Sequence, residues 1–185
     1  MNCTNKFRRL ILTGVTACGI IFLSGHGKTV EAETQSAPAP LKVYSTGQRG
    51  YVVSETIMKT KEEWKKLLTS EQFHILREKG TERAFTGKYA NHHEHGVYRC
   101  AGCGLDLFRS ESKFESGTGW PSFTTPIAPE NIGERPDNGL FSRRIEVVCR
   151  RCDGHLGHVF TDGPPPTGLR YCLNSAALLF VATNK

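Results

Sequence analysis

The sequence predicts a mainly β domain that begins with short helices and is held together by a bound metal. Three observations lead to this fold class. Two stretches before residue 80 carry helix start signals ahead of apolar residues. After Gly96, short runs rich in β-branched and aromatic residues alternate with turn residues, which is typical of antiparallel strands. Two Cys-x-x-Cys motifs, beginning at Cys100 and Cys149, have the spacing of zinc knuckles.

The first 32 residues have the pattern of a secretory signal peptide. A basic start is followed by a mainly apolar stretch over residues 10–23, and small or β-branched residues precede a possible cleavage point after Ala32. We therefore expect export to a periplasm or to the cell exterior. Two alternatives remain open: lipidation at Cys18, which ends a lipoprotein-like Val-Thr-Ala-Cys sequence, and retention of the segment as a membrane anchor.

The composition sets the domain plan and excludes one class of partner. Residues 33–55 include Pro38 and Pro40, and 33–50 hold few large apolar side chains, so we predict a linker there and a single domain over 56–185. The net charge is +6, of which the leader contributes half. Four zinc-bound thiolates would leave the rest nearly neutral. A basic surface for nucleic acid is therefore not expected.

The predicted helices begin at two capping boxes. Thr60 is followed three residues later by Glu63, and Thr69 by Gln72, each ahead of an apolar run. Gly80 is placed to end the second helix. Strands are predicted at residues 97–99, 143–148, 158–160 and 169–173, with turns at 137–139 and 162–166.

Four cysteines carry the strongest signal in the sequence. They form two knuckles that each follow a strand-like run: Cys100, Cys103, Cys149 and Cys152. Zinc binds four thiolates tetrahedrally, and a fully ligated ion has a structural role because no position is left for water. Disulfides, which an exported protein permits, and a redox-active cysteine pair are the alternatives.

Cys172 is the cysteine that neither the leader nor the knuckles account for. In a strand over 169–173, alternation places Cys172 with Arg170 and Asn174 on one face, opposite the apolar residues. A structural cysteine would be expected among the apolar positions, although a buried free cysteine is the alternative. We expect the neighbouring Arg170 cation to favour the thiolate.

Two histidines precede Cys172 in the chain and suggest a Cys/His nucleophilic site. Strict alternation would put His155 and His158 on opposite faces of a strand. A bulge at Gly157 would let both converge on the cysteine.

Five motifs occur in one order between about residues 59 and 179. They are Thr-Gly-Lys-Tyr at 86–89, Cys-Ala-Gly-Cys at 100–103, Ser-Gly-Thr-Gly-Trp-Pro-Ser-Phe at 116–123, Cys-Asp-Gly-His-Leu-Gly-His-Val-Phe at 152–160 and Gly-Leu-Arg-Tyr-Cys-Leu-Asn-Ser at 168–175. Together they resemble the methionine sulfoxide reductase B family. The resemblance implies two antiparallel sheets, a four-cysteine zinc site and reduction of the R epimer of methionine sulfoxide.

The same resemblance implies roles for individual residues. Cys172 corresponds to the nucleophile, whose attack on the sulfoxide sulfur leaves methionine and a cysteine sulfenic acid. The other implied catalytic residues are His155, His158 and Asn174, and the implied substrate-binding residues are Trp120, Phe160 and Arg170.

The chain departs from the family at Thr118. Many members have a cysteine there, which resolves the sulfenic acid as a disulfide. We therefore expect an external reductant, either a small thiol or a thioredoxin-like protein, to act on Cys172. The expected partners are this reductant and R-methionine sulfoxide in proteins or peptides, and the protein is expected to be a monomer.

Two other functions fit parts of the sequence. A zinc-knuckle binding module would leave the Cys172 face without a purpose. A thiol–disulfide oxidoreductase using the knuckle cysteines would need them free of metal. The His-rich tract at 92–95 is interpreted as a solvated turn.

Overall fold

The computed structural model describes residues 40–138 and 143–183 of the 185-residue chain. The predicted leader and the first residues of the predicted linker lie outside this part. The described residues belong to one unit, Ser36–Lys185. Within 40–138 and 143–183, no helix is long and apolar enough to span a membrane.

The described part contains two α-helices, α1 and α2, and eleven strands, β1 to β11. The helices are α1 (Lys61–Leu67) and α2 (Ser70–Glu78). The strands are β1 (Pro40–Ser45), β2 (Gly50–Glu55), β3 (Gly96–Cys100), β4 (Asp106–Arg109), β5 (Lys113–Phe114), β6 (Ser122–Phe123), β7 (Ile132–Asn138), β8 (Arg143–Cys149), β9 (His155–Phe160), β10 (Arg170–Leu173) and β11 (Leu178–Ala182). Single 3₁₀ turns lie at Ser110–Ser112, Pro129–Asn131 and Ser175–Ala177.

The predicted mainly antiparallel β fold is confirmed. A six-stranded sheet has the order β5-β6-β10-β9-β8-β7, and a three-stranded sheet has the order β11-β3-β4. Every described strand pair is antiparallel. A third element, the β1-β2 hairpin, adds a two-stranded sheet that was not expected.

Local sequence signals correctly locate both helices. Thr60 and Glu63 form a reciprocal capping box at α1, and Thr69 and Gln72 form one at α2, so two otherwise unpaired amides are satisfied at each start. The second helix ends one residue earlier than the position of Gly80 suggests. Lys79 adopts the left-handed conformation there, with φ of 56°.

The linker prediction does not hold over residues 40–55, which form the β1-β2 hairpin. Val43 is buried in the core. The Asn131 side chain accepts the Tyr44 amide at 2.7 Å and donates to its carbonyl at 2.8 Å. Asp106 accepts both the amide and the hydroxyl of Thr46. Because these partners lie more than 50 residues further along the chain, the composition of the segment alone did not reveal its docking.

The predicted strands are found, with longer bounds for β3, β8 and β9 and a start one residue later for β10. β9 begins at His155 rather than at residue 158, and β8 extends to Cys149. Asp137 and Asn138, predicted as a turn, are the last residues of β7 and pair with β8 in register. The rest of that predicted turn lies outside the described residues. Residues 162–166 lie, as predicted, in the connection between β9 and β10.

Aromatic side chains join the two larger sheets. Tyr98 and Phe108 of the three-stranded sheet contact Phe123 of the six-stranded sheet, with ring centroids 5.0 and 4.7 Å apart. Tyr171 on β10 packs against Phe108 at 5.5 Å. Such closely packed rings fix the position of β10. The core therefore holds the strand that carries Cys172.

Candidate active site and metal centre

Cys172 lies in the middle of the six-stranded sheet. Its strand, β10, runs between β9 and β6, and Cys172 is directly opposite His158 on one side and Ser122 on the other. Side chains of directly opposed residues share one face and approach within about 5 Å at Cβ. Sheet register therefore brings a thiol, an imidazole and a hydroxyl together.

The predicted alternation along β10 is found, with one difference. Tyr171 and Leu173 are buried in the core, and Cys172 is half-buried on the opposite face. Arg170 and Asn174 share that opposite face but are also buried, at 9% and 3% exposure. The face is therefore covered by other residues rather than open to solvent.

The expected activation of Cys172 by Arg170 is outweighed in the resting structure. Burial raises the pKa of the Cys172 thiol, while hydrogen bonding from Thr118 and the Arg170 charge act in the opposite direction. Arg170 makes two hydrogen bonds of 2.8 Å to the carboxylate of Asp162, and its guanidinium lies 4.5 Å from the Phe160 ring centroid. The cation is therefore largely neutralised by Asp162.

A bulge in β9 brings the two histidines together, as the sequence suggested. Val147 pairs with Gly157, whereas Val148 pairs with His155, so Leu156 is the extra residue. A Cβ atom at Gly157 would collide with the carbonyl of Cys172. The rings of His155 and His158 consequently meet edge to face, with centroids 5.4 Å apart.

The two histidines nevertheless have different surroundings. His158 borders the cavity at Cys172, and its Nε2 lies 2.8 Å from the Asp137 carboxylate. His155 is only 3% exposed; its Nδ1 lies 2.7 Å from Glu146, and its Nε2 has no hydrogen-bond partner among the described residues. Burial lowers the pKa of His155 despite the hydrogen bond to Glu146. His155 is therefore neutral near pH 7.

Glu146 is a buried carboxylate that the sequence prediction missed. It is 1% exposed and receives hydrogen bonds from Lys79 at 2.9 Å, Arg135 at 2.8 Å and His155 at 2.7 Å. Burial opposes its ionisation, but these donors outweigh burial and hold its pKa at about 2. A carboxylate only accepts hydrogen bonds, so His155 carries its proton on Nδ1.

A cavity of about 120 Å³ opens at Cys172. The predicted residues that border it are Trp120, His158, Phe160, Cys172 and Asn174. The others are Thr81, Arg144 and Leu173, which the sequence prediction missed, and Gly157, which it placed at the bulge. His155 and Arg170 lie behind this lining rather than in it.

Asn174 and Trp120 are fixed by a second buried carboxylate residue, Glu82. The Asn174 side chain accepts the Glu82 amide at 3.1 Å and donates to the Leu156 carbonyl at 3.1 Å. The Trp120 indole donates to the Glu82 carbonyl at 3.1 Å. The Glu82 carboxylate in turn accepts the amides of Ser175 and Ala176. No local sequence pattern marks Glu82, because its partners lie 38 to 94 residues away.

Thr118 lies next to Cys172. Its hydroxyl oxygen is 3.9 Å from the Cys172 sulfur. The glycines on either side, Gly117 and Gly119, have φ of 72° and 88°, a conformation that favours glycine. The tight loop that they form turns Thr118 toward the sheet.

The four knuckle cysteines form a cluster that fits a metal ion. Their sulfurs all lie within 4.8 Å of one another, with Cys100 and Cys152 at 3.6 Å and Cys103 and Cys149 at 3.5 Å. A tetrahedron with Zn–S bonds of about 2.3 Å has sulfurs about 3.8 Å apart. A disulfide needs about 2.05 Å, so the disulfide alternative is wrong for these pairs.

Two tight turns hold these sulfurs in place. The amide of Gly104 donates to the Cys100 carbonyl and that of Asp153 to the Cys149 carbonyl, each at 2.8 Å. The knuckles come from separate strands, β3 and β8, so a bound ion would cross-link the two larger sheets.

Comparison with known proteins identifies the family. The sequence profile described as the SelR domain matches residues 68–182, more than half of the chain. The chain belongs to the methionine sulfoxide reductase B family. The family resemblance inferred from the five motifs is thereby confirmed, and every residue of the Cys172 site and of the cysteine cluster lies within the matched range.

Curated members of the methionine sulfoxide reductase B family match along most of their length. A peptide methionine sulfoxide reductase MsrB from Methanosarcina barkeri is 56% identical over 129 residues, covering 70% of this chain and 91% of that protein. Proteins of the same name from Thiobacillus denitrificans and Herminiimonas arsenicoxydans are 58% and 51% identical, over 66% and 71% of this chain and 92% and 96% of theirs.

Proposed function

We propose that the protein reduces the R epimer of methionine sulfoxide in peptides, with Cys172 as the nucleophile. Membership of the methionine sulfoxide reductase B family supports an oxidoreductase acting on peptide methionine sulfoxide. The observation that carries the assignment of the nucleophile is the position of Cys172. Its thiol, bound to neither a disulfide nor the cysteine cluster, borders a small cavity together with His158 and Trp120.

The proposed reaction transfers one oxygen atom. The Cys172 thiolate attacks the sulfoxide sulfur while an acid protonates the sulfoxide oxygen; the oxygen moves to Cys172, which becomes a sulfenic acid, and methionine leaves. His158 is the proposed acid, because it borders the cavity at Cys172 and its Nε2 lies 2.8 Å from the Asp137 carboxylate, which orients the ring. His155, neutral and held by Glu146, is proposed to orient His158 by ring contact.

The cavity has the character expected for the methyl end of the substrate. The Trp120 ring offers an apolar face, and its indole N–H is already bound to the Glu82 carbonyl, which fixes the ring orientation. Phe160 forms another wall and is held in place by the Arg170 guanidinium. Asn174, tied to Leu156 and Glu82, supplies a rigid polar group at the cavity edge.

Reactivation of the enzyme is proposed to need an external thiol. Among the described residues, four of the five cysteines form the cluster and the fifth is Cys172. The Thr118 hydroxyl lies 3.9 Å from the Cys172 sulfur, and this residue offers no thiol. A small thiol or a thioredoxin-like protein would attack the sulfenic acid, release water and form a mixed disulfide that a second thiol resolves.

The cysteine cluster is proposed to hold one structural zinc ion. Four thiolates suit zinc, and with all four positions filled the ion would stabilise the fold without taking part in the reaction. The protein is further proposed to act as a monomer without nucleic acid, and to be exported through the leader at residues 1–32.

An assay with separated sulfoxide epimers tests the function. The wild-type protein with dithiothreitol should reduce the R epimer of a peptide methionine sulfoxide and leave the S epimer unchanged. Cys172→Ser should lower turnover by about 10³-fold or more, because a serine hydroxyl is a far poorer nucleophile. Its zinc content and circular dichroism should match those of the wild type. Turnover that survives in Cys172→Ser would refute the nucleophile, and a wild type inactive on both epimers would refute the function.

A further inference from the structure

Three hydroxyl groups form a hydrogen-bonded chain that ends at Cys172. The hydroxyl of Thr118 is 3.9 Å from the Cys172 sulfur and 2.8 Å from the hydroxyl of Ser116. The Ser116 hydroxyl is also 2.8 Å from that of Ser122, which lies 3.3 Å from the Trp120 carbonyl. We call Thr118, Ser116 and Ser122 the hydroxyl chain.

The backbone fixes the hydroxyl chain from both ends. Ser122 is fully buried and directly opposite Cys172 in the sheet. Thr118 is carried by the glycine-flanked loop, and its amide donates to the Ser116 oxygen at 3.4 Å. The geometry of the chain is therefore set by strand pairing and by a tight loop, not by freely rotating surface side chains.

The hydrogen-bonding capacity of the three hydroxyls permits two directions. Each hydroxyl has one proton to donate and two lone pairs to accept with. When Cys172 is a thiol, it donates to Thr118, Thr118 to Ser116, Ser116 to Ser122 and Ser122 to the Trp120 carbonyl. When Cys172 is a thiolate, it can only accept, so Ser122 donates to Ser116, Ser116 to Thr118 and Thr118 to the sulfur.

Both directions satisfy the central hydroxyl completely. In each, Ser116 accepts the Thr118 amide and one hydroxyl, and donates its own proton to the other hydroxyl. The bond lost on reversal, from Ser122 to the Trp120 carbonyl, has the longest oxygen–oxygen distance of the series at 3.3 Å. Rotation about three C–O bonds therefore changes the direction of the chain while each oxygen keeps its own proton.

We propose that the hydroxyl chain reverses when Cys172 ionises and thereby stabilises the thiolate. Thr118 contacts the reacting sulfur, and Ser116 and Ser122 are positioning residues that act through it. The inference rests on the proposed function only in making Cys172 the nucleophile. The proposal gives Thr118, which has no thiol, a role in ionisation of the nucleophile.

The charges around the sulfur are consistent with this role. Burial raises the pKa of Cys172, and the hydrogen bond from Thr118 is the largest opposing influence, ahead of the Arg170 charge. Ser122 and Arg170 also lower the pKa of Cys172, but Arg170 is paired with Asp162, so the neutral hydroxyl of Thr118 contributes most. A linked series of hydroxyls strengthens such a donor, because each bond polarises the next.

The test measures ionisation of Cys172 without substrate. The rate of alkylation by iodoacetamide is followed against pH in zinc-loaded protein, and Cys172→Ser supplies the background from the cluster cysteines. Thr118→Val should raise the apparent pKa by about one unit, a tenfold slower reaction below that pKa. Thr118→Ser should restore the wild-type value. Ser116→Ala should slow the reaction by about twofold, and should have no further effect in the Thr118→Val background.

Two results would overturn the proposal, and both are independent of turnover. If Thr118→Val leaves the pKa of Cys172 unchanged, Thr118 is not a donor to the sulfur. If Ser116→Ala leaves it unchanged while Thr118→Val raises it, Thr118 acts alone and there is no linked chain. Ser54→Ala, on β2, is the matched control and should behave as the wild type. Because no sulfoxide is present, failure of the reductase assay would reject the proposed function without changing these measurements.

Discussion

Glu146 provides a sharp test of the buried charge network behind the active site. Glu146→Gln keeps the size of the side chain but removes its charge and replaces one oxygen with a donor. Every group that faces this carboxylate is itself a donor: Lys79, Arg135 and His155. The glutamine amide group either opposes one of these donors or forces the His155 proton onto Nε2, which has no partner among the described residues. In both cases a buried donor is left without an acceptor.

The expected loss of stability follows from the ionisation of Glu146. Its pKa falls from an ordinary value of 4.5 to about 2, although burial by itself acts in the opposite direction. The lowered pKa corresponds to a stabilisation of the ionised form by about 3 kcal/mol. Lys79 and Arg135 are partly exposed, so solvent screens part of the interaction. We expect Glu146→Gln to lower the free energy of unfolding by about 2–3 kcal/mol at pH 7.5.

The pH dependence has a definite sign. Because folding lowers the pKa of Glu146, its contribution to stability is complete above pH 4.5 and is lost as the pH falls toward 2. The difference between wild type and Glu146→Gln should therefore not fall between pH 7.5 and pH 5.5, and should shrink below pH 4.5. Any release of metal in acid affects both proteins, so the difference is the quantity to follow.

Urea unfolding of the zinc-loaded proteins measures this difference. Glu55→Gln, at an exposed position on β2, is the matched control and should change stability by no more than about 0.5 kcal/mol. If Glu146→Gln is no more destabilising than Glu55→Gln at pH 7.5, the carboxylate does not hold the network together. The same conclusion follows if the difference already falls between pH 7.5 and pH 5.5.

Three further predictions concern the metal, the missing thiol and the buried histidine. Cys149→Ser should lose zinc and melt at a lower temperature, because metal binding is coupled to folding; an unchanged melting temperature without metal would reject a structural ion. After one turnover without reductant, dimedone should label the sulfenic acid of Cys172 in the wild type. In Thr118→Cys the introduced cysteine should instead form a disulfide with Cys172, because the Thr118 hydroxyl oxygen lies 3.9 Å from the Cys172 sulfur. Mass spectrometry that finds a Cys172 disulfide in the wild type would refute this scheme. Burial lowers the pKa of His155 from 6.5, so below pH 6.5 the unfolded protein binds a proton that the folded protein does not. The free energy of unfolding should therefore fall by up to about 1.4 kcal/mol per pH unit below pH 6.5. His155→Gln should remove this pH dependence.

The sequence correctly predicted the features that depend only on neighbouring residues. The capping boxes at Thr60 and Thr69 are complete within four residues, so both helix starts were predicted correctly. The two knuckles were predicted because Cys-x-x-Cys spacing is itself the geometry that presents two sulfurs to one ion. Alternation along β10 separated Cys172 from the core residues Tyr171 and Leu173.

The tertiary structure decided what depends on distant partners. The hairpin over residues 40–55 was predicted as linker because its anchors, Asn131 and Asp106, lie far along the chain. Glu82 and Glu146 are ordinary carboxylates in the sequence, and only the fold buries them among amides and cations. Their effect on Trp120 and on His155 was therefore absent from any local pattern.

The difference between what the sequence predicts and what the tertiary structure decides is clearest at the two histidines and at Thr118. The sequence suggested that His155 and His158 converge, but the bulge in β9 decided that His158 borders the cavity and His155 lies behind it. The sequence also showed that residue 118 is not a cysteine, while strand pairing and the glycine-flanked loop linked its hydroxyl to Ser116 and the Cys172 sulfur. The residue types, and hence the chemistry that each side chain can perform, are determined by the sequence. Burial, hydrogen-bond partners and pKa values arise from contacts between remote segments, so they exist only once the chain has folded.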